Sequence, residues 1–332
     1  MKNSNTEHQV YISFVIPCYC SGANIGAVVE EITGTMLQKP ELTYEIILVN
    51  DSSPDDTWEY LRKLADENEK IIAIDFSKNF GQHNALLAGF SLVRGKYIMT
   101  SDDDGQTPVS YVFDFIDKLE EGYDVVSAKY DQRAQPSLFR RFGTFIDKKM
   151  SMWMLKQPRD IYLASFFLAR RFIIDEFCHY KNPYPYITGL ILQTTNRIGN
   201  VVVENRERAS GNSGYNFEKL FKLWINGLTT FSIEPLRIAN LLGVFSAIAG
   251  LLIAFMAIVQ RLVNPETVLG WTSLIATVFF VGGVILIVLG MIGEYIGRIY
   301  VSINNSPQYI IRSVYRGIAE ETEEKDRKEV TR

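Results

Sequence analysis

"YEIILVNDSSPDDTWEYLRKLADENEKIIAIDF", residues 44–76, is the stretch on which the fold turns. A short β-rich apolar run (44–50) gives way to a polar cluster, a helical stretch (54–69) and a second apolar run (71–76). Ser53 is the expected N-cap, Pro54 fits the first helical position, and Asp55 and Asp56 favour the positive end of the helix dipole. Strand-like runs of the same kind recur at 11–17, 96–102 and 123–130, and "ANIGAVVEEITGTML" (23–37) is helical in pattern. The alternation predicts an α/β domain with a mostly parallel sheet.

In such sheets ligands bind beyond the carboxyl ends of the strands, so the residues there carry the functional reading. Pro17-Cys18-Tyr19 ends the first run, Asn50-Asp51-Ser52-Ser53 the second, and Asp102-Asp103-Asp104 the fourth. Asp51 is placed to accept hydrogen bonds from a nucleobase or ribose. The Asp102-x-Asp104 spacing puts two hard oxygen donors on one side of an extended strand end, with Asp103 on the other. Mg²⁺ or Mn²⁺ is the cofactor expected there, sharing its remaining positions between water and a diphosphate, with Gln106 adding a carbonyl ligand. A solvated turn is the alternative, since Gly105 and Pro108 follow.

"FSKNFGQHNALLAGF" (76–90) reads either as a helix start beside the nucleotide or as a helix entry with a packed Phe80. In the first reading Lys78 lies near the phosphates and Gly81 allows close approach. His83 is expected at a surface or helix start. Cys18, Cys20 and Cys178 are an odd set, as reduced thiols would be, and Cys18-x-Cys20 fits strand alternation better than a zinc site.

The net charge of -4 gives no global positive field, which argues against nucleic acid as a partner. Mean hydropathy is nonetheless +0.02. The apolar excess lies beyond residue 235, in two uncharged runs at 238–259 and 268–293, each long enough for a bilayer core of about 20 residues. A buried helical hairpin is the alternative. Arg237 precedes the pair and Arg298, Arg312 and Arg316 follow it, whereas the connection carries only Arg261. The positive-inside rule therefore places both termini in the cytosol. The first residues, "MKNSNTEHQVY", have no apolar core, so no signal peptide is expected. Two further segments, 137–156 and 217–237, mix aromatic, Leu or Met and basic residues as helices at a membrane interface do, although ordinary amphipathic helices share the pattern.

"FVIPCYC", "ILVNDSSPDDT", "SKNFGQHNALLAGF" and "SDDDGQTP" stand in the order found in family 2 inverting glycosyltransferases with the GT-A fold. With the block at 207–243 and the two spans, the chain resembles the polyprenyl-phosphate glycosyltransferases of that family. The resemblance implies a metal-dependent transfer of a sugar from a nucleotide diphosphate to polyprenyl phosphate at the cytosolic membrane face. A hexose, glucose from UDP-glucose, is the expected donor sugar and undecaprenyl phosphate the expected acceptor. It also implies site residues. Pro17, Tyr19 and Asp51 would line the nucleotide, and Asp102, Asp104 and Gln106 would hold metal and diphosphate. Lys129, Arg140 and Thr144 would bind the acceptor phosphate, while Arg208, Ser213 and Tyr215 would belong to a loop closing over the donor. The glycines of the second span permit a homo-oligomer through the hairpin.

The chain departs from the family pattern in three places. Cys20-Ser21 stands for the usual Asn-Glu, Ala164-Ser165-Phe166 for Asp-Phe-Arg, and Gly214 for a Lys before Tyr215. The expected division is a terminus (1–10), a GT-A domain (11–210), an interfacial segment (211–235), two transmembrane helices within 236–297 and a charged cytosolic tail (298–332). Two rivals have recognisable marks. A processive polysaccharide synthase would carry Gln-x-x-Arg-Trp, which none of the four tryptophans shows. A non-catalytic nucleotide-binding module would have lost Asp102 or Asp104, and both are present.

Overall fold

The computed structural model describes residues 10–130, 158, 160–182, 185–204, 206, scattered positions within 241–263, 271–304 and 307–317. The chain forms two compact units, one of residues 1–214 with 307–332, the other of residues 215–306. The described part of the first is an eight-stranded sheet, with β1 (Val10–Cys18), β2 (Tyr44–Asn50), β3 (Ile71–Phe76), β4 (Gly95–Thr100), β5 (Val125–Tyr130), β6 (Phe167–Arg170), β7 (Ile198–Val203) and β8 (Ile311–Tyr315). Their order across the sheet is β7-β5-β6-β4-β1-β2-β3-β8. β4, β1, β2 and β3 run parallel, as do β5 and β7, while β6 and β8 run antiparallel to their neighbours.

The chain steps from β1 outward to β2 and β3, then returns to the far side of β1 for β4. That reversal leaves a crevice between the carboxyl ends of β1 and β4, the place where open α/β sheets bind ligands. Pairing of β1 with β4 stops at Val15, two residues before Pro17, which has no N–H to offer a neighbour.

The central strands are buried on both faces, and β2 is apolar at five of its seven positions. Helix α1 (Ile25–Met36) covers the sheet with Ile25, Val28, Val29, Ile32 and Met36, a single helical stripe. α2 (Thr57–Glu67), α3 (Gln82–Phe90), α4 (Val112–Glu120), α5 (Arg171–His179) and α6 (Ile187–Thr194) complete the layers. α2 begins at Thr57 with Asp56 as N-cap, so the predicted start at Pro54 is three residues early. Ser53 is drawn instead to the end of β2, where its Oγ donates to Asn50 Oδ1 at 2.6 Å. Away from the carboxyl edge, the buried Glu45 fixes the amino end of the sheet. It accepts from Ser13 Oγ and Arg94 N, both at 2.6 Å, and from Arg94 Nε at 2.8 Å. Gly95 passes so close to β1 that a Cβ would lie 2.6 Å from Ser13 N.

Three strands differ from the sequence expectation. β6 and β7 lie in stretches whose apolar alternation is short. β8 falls within the expected tail: residues 311–315 return to the sheet and pair antiparallel with β3. In the second unit, α7 (Trp271–Ile303) has 33 residues, about 50 Å of helix, and continues ten residues beyond the expected end of the second span. Its segment Phe280–Gly297 is long and apolar enough to cross a membrane. The described positions between 241 and 263 are helical, within and just beyond the first expected span.

Candidate active site

Four strand ends meet at the crevice, because β5 runs in the same direction as β4 through the shared antiparallel partner β6. They bring Tyr19, Asp51, Asp102–Asp104 and Lys129-Tyr130 to one edge of the sheet. The connection between β3 and α3 delivers Lys78 and Gly81 to the same edge.

The three aspartates have separate hydrogen-bond partners. Asp102 accepts from Gln82 Nε2 (3.0 Å) on one oxygen and from Ser165 Oγ (2.6 Å) on the other. Asp103 turns toward β1, accepting from Tyr19 N (3.1 Å) and from Ser21 Oγ, and so ties the ends of β1 and β4 together. Asp104 Oδ1 accepts from Gln106 N at 3.0 Å in the turn through Gly105, whose φ of 73° suits glycine. Burial raises the pKa of Asp102, and the charges of Asp104 and Asp103 add to the rise against the hydrogen bonds from Ser165 and Gln82. Asp103 is raised by burial as well, opposed mainly by its bonds from Ser21 and Tyr19. Among the described residues no cation lowers either one.

That crowding of carboxylates at a crevice is the observation against which a divalent metal can be tested. Among the described residues no three His, Cys, Asp or Glu side chains form a ready cage. Mg²⁺ and Mn²⁺ do not need one, since they take one or two carboxylates and fill the remaining positions with water and substrate phosphate oxygens. Asp102 and Asp104, with the Gln106 carbonyl beside them, are a donor set of that chemistry, and the residues fit the ion.

Asp51 has a structural task at this edge. Its carboxylate is buried, and both oxygens are committed to backbone, accepting from Phe80 N (2.7 Å) and Gly81 N (2.8 Å). Burial raises its pKa, and these two bonds oppose the rise. Asp51 thus fixes the turn into α3. Gly81 has φ 91°, a backbone conformation that favours glycine, and open space where a Cβ would go. Lys78 is exposed, its Nζ 5.0 Å from the centre of the Phe80 ring. Pro17 is buried in β1, whereas Tyr19 is 52 % exposed at the mouth of the crevice. Cys20 (φ 54°) and Ser52 (φ 55°) are left-handed without being glycine, and both lie at this edge. Such backbone is costly and gathers at functional sites.

On the β5 side, Lys129 Nζ stands 4.7 Å from the centre of the Tyr162 ring. Burial raises the pKa of Tyr130, and the charges of Asp102 and Asp104 raise it further, which places this phenol beside the acidic cluster. Arg140, Thr144, Arg208, Ser213 and Tyr215 lie outside the described residues, as do 137–156 and 217–237. Ser165, Gln82 and Tyr130 were missed by sequence reasoning. Gln82 lies in the 76–90 stretch and Ser165 in the 164–166 departure, but nothing there points to Asp102: β6 pairs with β4, β5 pairs with β6, and the start of α3 reaches the same edge of the sheet.

Residues 13–178 match the model of glycosyl transferase family 2, and residues 234–299 match the GtrB C-terminal hairpin. The chain belongs to glycosyltransferase family 2. It is 32 % identical over 306 residues to the uncharacterized glycosyltransferase YkcC of Bacillus subtilis (strain 168), covering 92 % of this chain and 94 % of that one. It is 34 % identical over 325 residues to the undecaprenyl-phosphate 4-deoxy-4-formamido-L-arabinose transferase of Yersinia enterocolitica, covering 96 % and 98 %. Among solved structures, glucosyl-3-phosphoglycerate synthase from Mycobacterium tuberculosis, in complex with Mn²⁺, UDP and glucosyl-3-phosphoglycerate, superposes with a TM-score of 0.50 at 16 % identity. It covers 67 % of this chain and 80 % of that one, a likeness of fold. The expected GT-A architecture is the one observed, and the family 2 glycosyltransferase joins its α/β unit to a C-terminal hairpin.

Proposed function

We propose that this glycosyltransferase moves a hexose from a nucleoside diphosphate to undecaprenyl phosphate at the cytosolic face of the membrane, with inversion at the anomeric carbon. The observation that carries the reading is the acidic cluster at the β1/β4 crevice in a chain that also holds the membrane hairpin. The Yersinia relative, named for the same kind of acceptor, supports it over nearly the full length. UDP-glucose is the first donor to test, because the fold neighbour from Mycobacterium was solved with UDP.

The acceptor needs no strong base. A phosphate monoester has a second pKa of about 6, so near neutral pH it is already largely the dianionic nucleophile. A phosphate oxygen attacks the anomeric carbon as the bond to the diphosphate oxygen breaks, and the nucleoside diphosphate leaves with the electron pair. When bound, a divalent cation at Asp102 and Asp104 supplies charge neutralisation for that leaving group. The remaining work is positioning. Gln82 and Ser165 hold the Asp102 carboxylate in place, Asp103 fixes the mouth of the crevice, and Asp51 fixes the turn carrying Lys78 near the phosphates. Lys129, with Arg140 and Thr144, binds the acceptor phosphate, and Arg208, Ser213 and Tyr215 close over the donor.

The test offers labelled nucleotide sugars, UDP-glucose first, with undecaprenyl phosphate and Mn²⁺ to the purified protein and follows label into the organic phase. Transfer from one donor is the expected result. No label in the lipid with any donor would sink the proposal. Asp104→Ala is expected to lose at least about a hundredfold in turnover, as loss of an electrostatic stabiliser does, and full activity in that variant would refute the metal assignment.

A further inference from the structure

The strand that follows the membrane hairpin is joined to the floor of the crevice by two separate routes. The first is polar. β8 pairs Ser313 with Asp75 and Ile311 with Phe76, which leaves Arg312 as the extra residue of a β-bulge. Bulges re-aim side chains, and this one sends the guanidinium back across β3. Arg312 Nη1 lies 3.3 Å from Asp75 Oδ2, and Nη2 donates to Ser77 O at 3.1 Å. The buried Asp75 takes Asn50 Nδ2 on its other oxygen at 2.7 Å. Asn50 Oδ1 in turn accepts from Ser53 N (3.2 Å) and Ser53 Oγ (2.6 Å), and Ser53 Oγ accepts from Cys20 N at 3.1 Å. This rail crosses the carboxyl ends of β3 and β2 and finishes in the left-handed turn after β1.

The second route is aromatic. Ser77 N donates to Ile310 O at 3.0 Å, and the Tyr309 ring stacks on Phe76 with centroids 5.6 Å apart and an interplanar angle of 8°. Phe76 meets Phe80 edge-on, also at 5.6 Å, and the Phe80 amide is one of the two held by Asp51. Residues 309–313 therefore hold Ser77 directly and reach Phe80 through Phe76.

We propose that this post-hairpin segment is a positioning element of the donor site, with Arg312 as its positioning residue, an inference that rests on the transferase reading above. Arg312 reaches no substrate. It neutralises Asp75 and holds Ser77, so that Asn50, Ser53 and the 77–81 turn keep the geometry that receives the nucleotide. The chain after the membrane hairpin is thus part of the catalytic unit.

The experiment uses the full chain in lipid nanodiscs with Arg312→Met, Arg312→Lys, Asp75→Asn and the Arg312→Met/Asp75→Asn pair. Arg312→Met is expected to raise the donor KM about tenfold, an effect moderated by the exposure of the guanidinium, with kcat and the acceptor KM within about twofold. Arg312→Lys, which keeps charge but not the fork, falls between Met and wild type. In the Asp75→Asn background Arg312→Met adds less than about twofold, because both act through one contact. An unchanged donor KM in Arg312→Met overturns the inference. So does an equal change in all three parameters with a lowered melting temperature, which marks a merely structural role. Wild-type protein that transfers no sugar sinks the transferase reading instead. In that event hydrogen exchange over residues 50–53 and 77–82 decides the inference: faster exchange in Arg312→Met supports it, and equal exchange overturns it.

Discussion

Removing the Asp51 carboxylate offers a sharp test of how the crevice is built. In Asp51→Ala the amides of Phe80 and Gly81 lose their acceptors at 2.7 and 2.8 Å. A hydrogen bond to a charged group contributes about 1.5–3 kcal/mol, so the pair contributes roughly 3–6 kcal/mol to holding the turn. Part of that is offset, because burial is the largest influence on Asp51 and disfavours its ionised form. A net loss of about 2–3 kcal/mol in local stability is the balance, which corresponds to roughly 30- to 150-fold faster opening at these two amides. Asp51→Asn keeps one acceptor oxygen and sheds the charge, so it is expected to lose about half as much. Hydrogen exchange resolved over residues 77–84 reads both variants, with amides of β4 as an internal standard. Donor KM should rise in the same order, Asn below Ala. Unchanged exchange at Phe80 and Gly81 in Asp51→Ala would refute the assignment of Asp51 to the turn. A rise in donor KM without any change in exchange would return it to direct nucleotide contact.

Two further outcomes concern stability. Glu45→Gln places an amide N–H against Arg94 Nε and leaves a buried site poorly matched, at about 3 kcal/mol. That lowers the melting temperature by roughly 6–12 °C for a unit of this size, and an unchanged melting curve would show that Arg94 is not engaged. His83 is packed edge-on against Tyr186, its buried Nδ1 has no hydrogen-bond partner among the described residues, and burial brings its pKa down to about 4. A depressed folded value means the unfolded chain binds the proton more readily, so stability contributed at neutral pH is lost as pH falls from 6.5 toward about 4. His83→Phe is expected to flatten that part of the acid limb, read as melting temperature against pH, and an identical limb in the variant would contradict it.

The alternation of apolar runs with helical stretches, the acidic strand end at 102–104 and the two uncharged segments beyond 235 are local patterns, and local patterns can be read from a chain. They were enough for the α/β class, the parallel centre of the sheet and the place of the crevice. The central strands were legible within two residues because burial on both faces makes them continuous apolar runs. What the sequence could not carry is pairing across distance. Ser53 looks like a helix cap until Asn50 competes for it, and nothing near Asp51 in the chain announces the Phe80 and Gly81 amides that it holds. Ser165 is 63 residues from Asp102 and meets it only because β6 lies beside β4.

β8 shows the division most plainly. Ile311–Tyr315 is a short amphipathic stretch in a charged region, and nothing in its residues names a partner. Its meaning comes from the exposed edge of β3, whose unpaired N–H and C=O groups accept an antiparallel strand. Local pattern marks the central strands, the helices between them and the place where acid gathers, since those follow from side-chain chemistry within a few residues. The tertiary structure alone decided which side chains share the crevice, because hydrogen bonds and edge pairing join groups far apart along the chain.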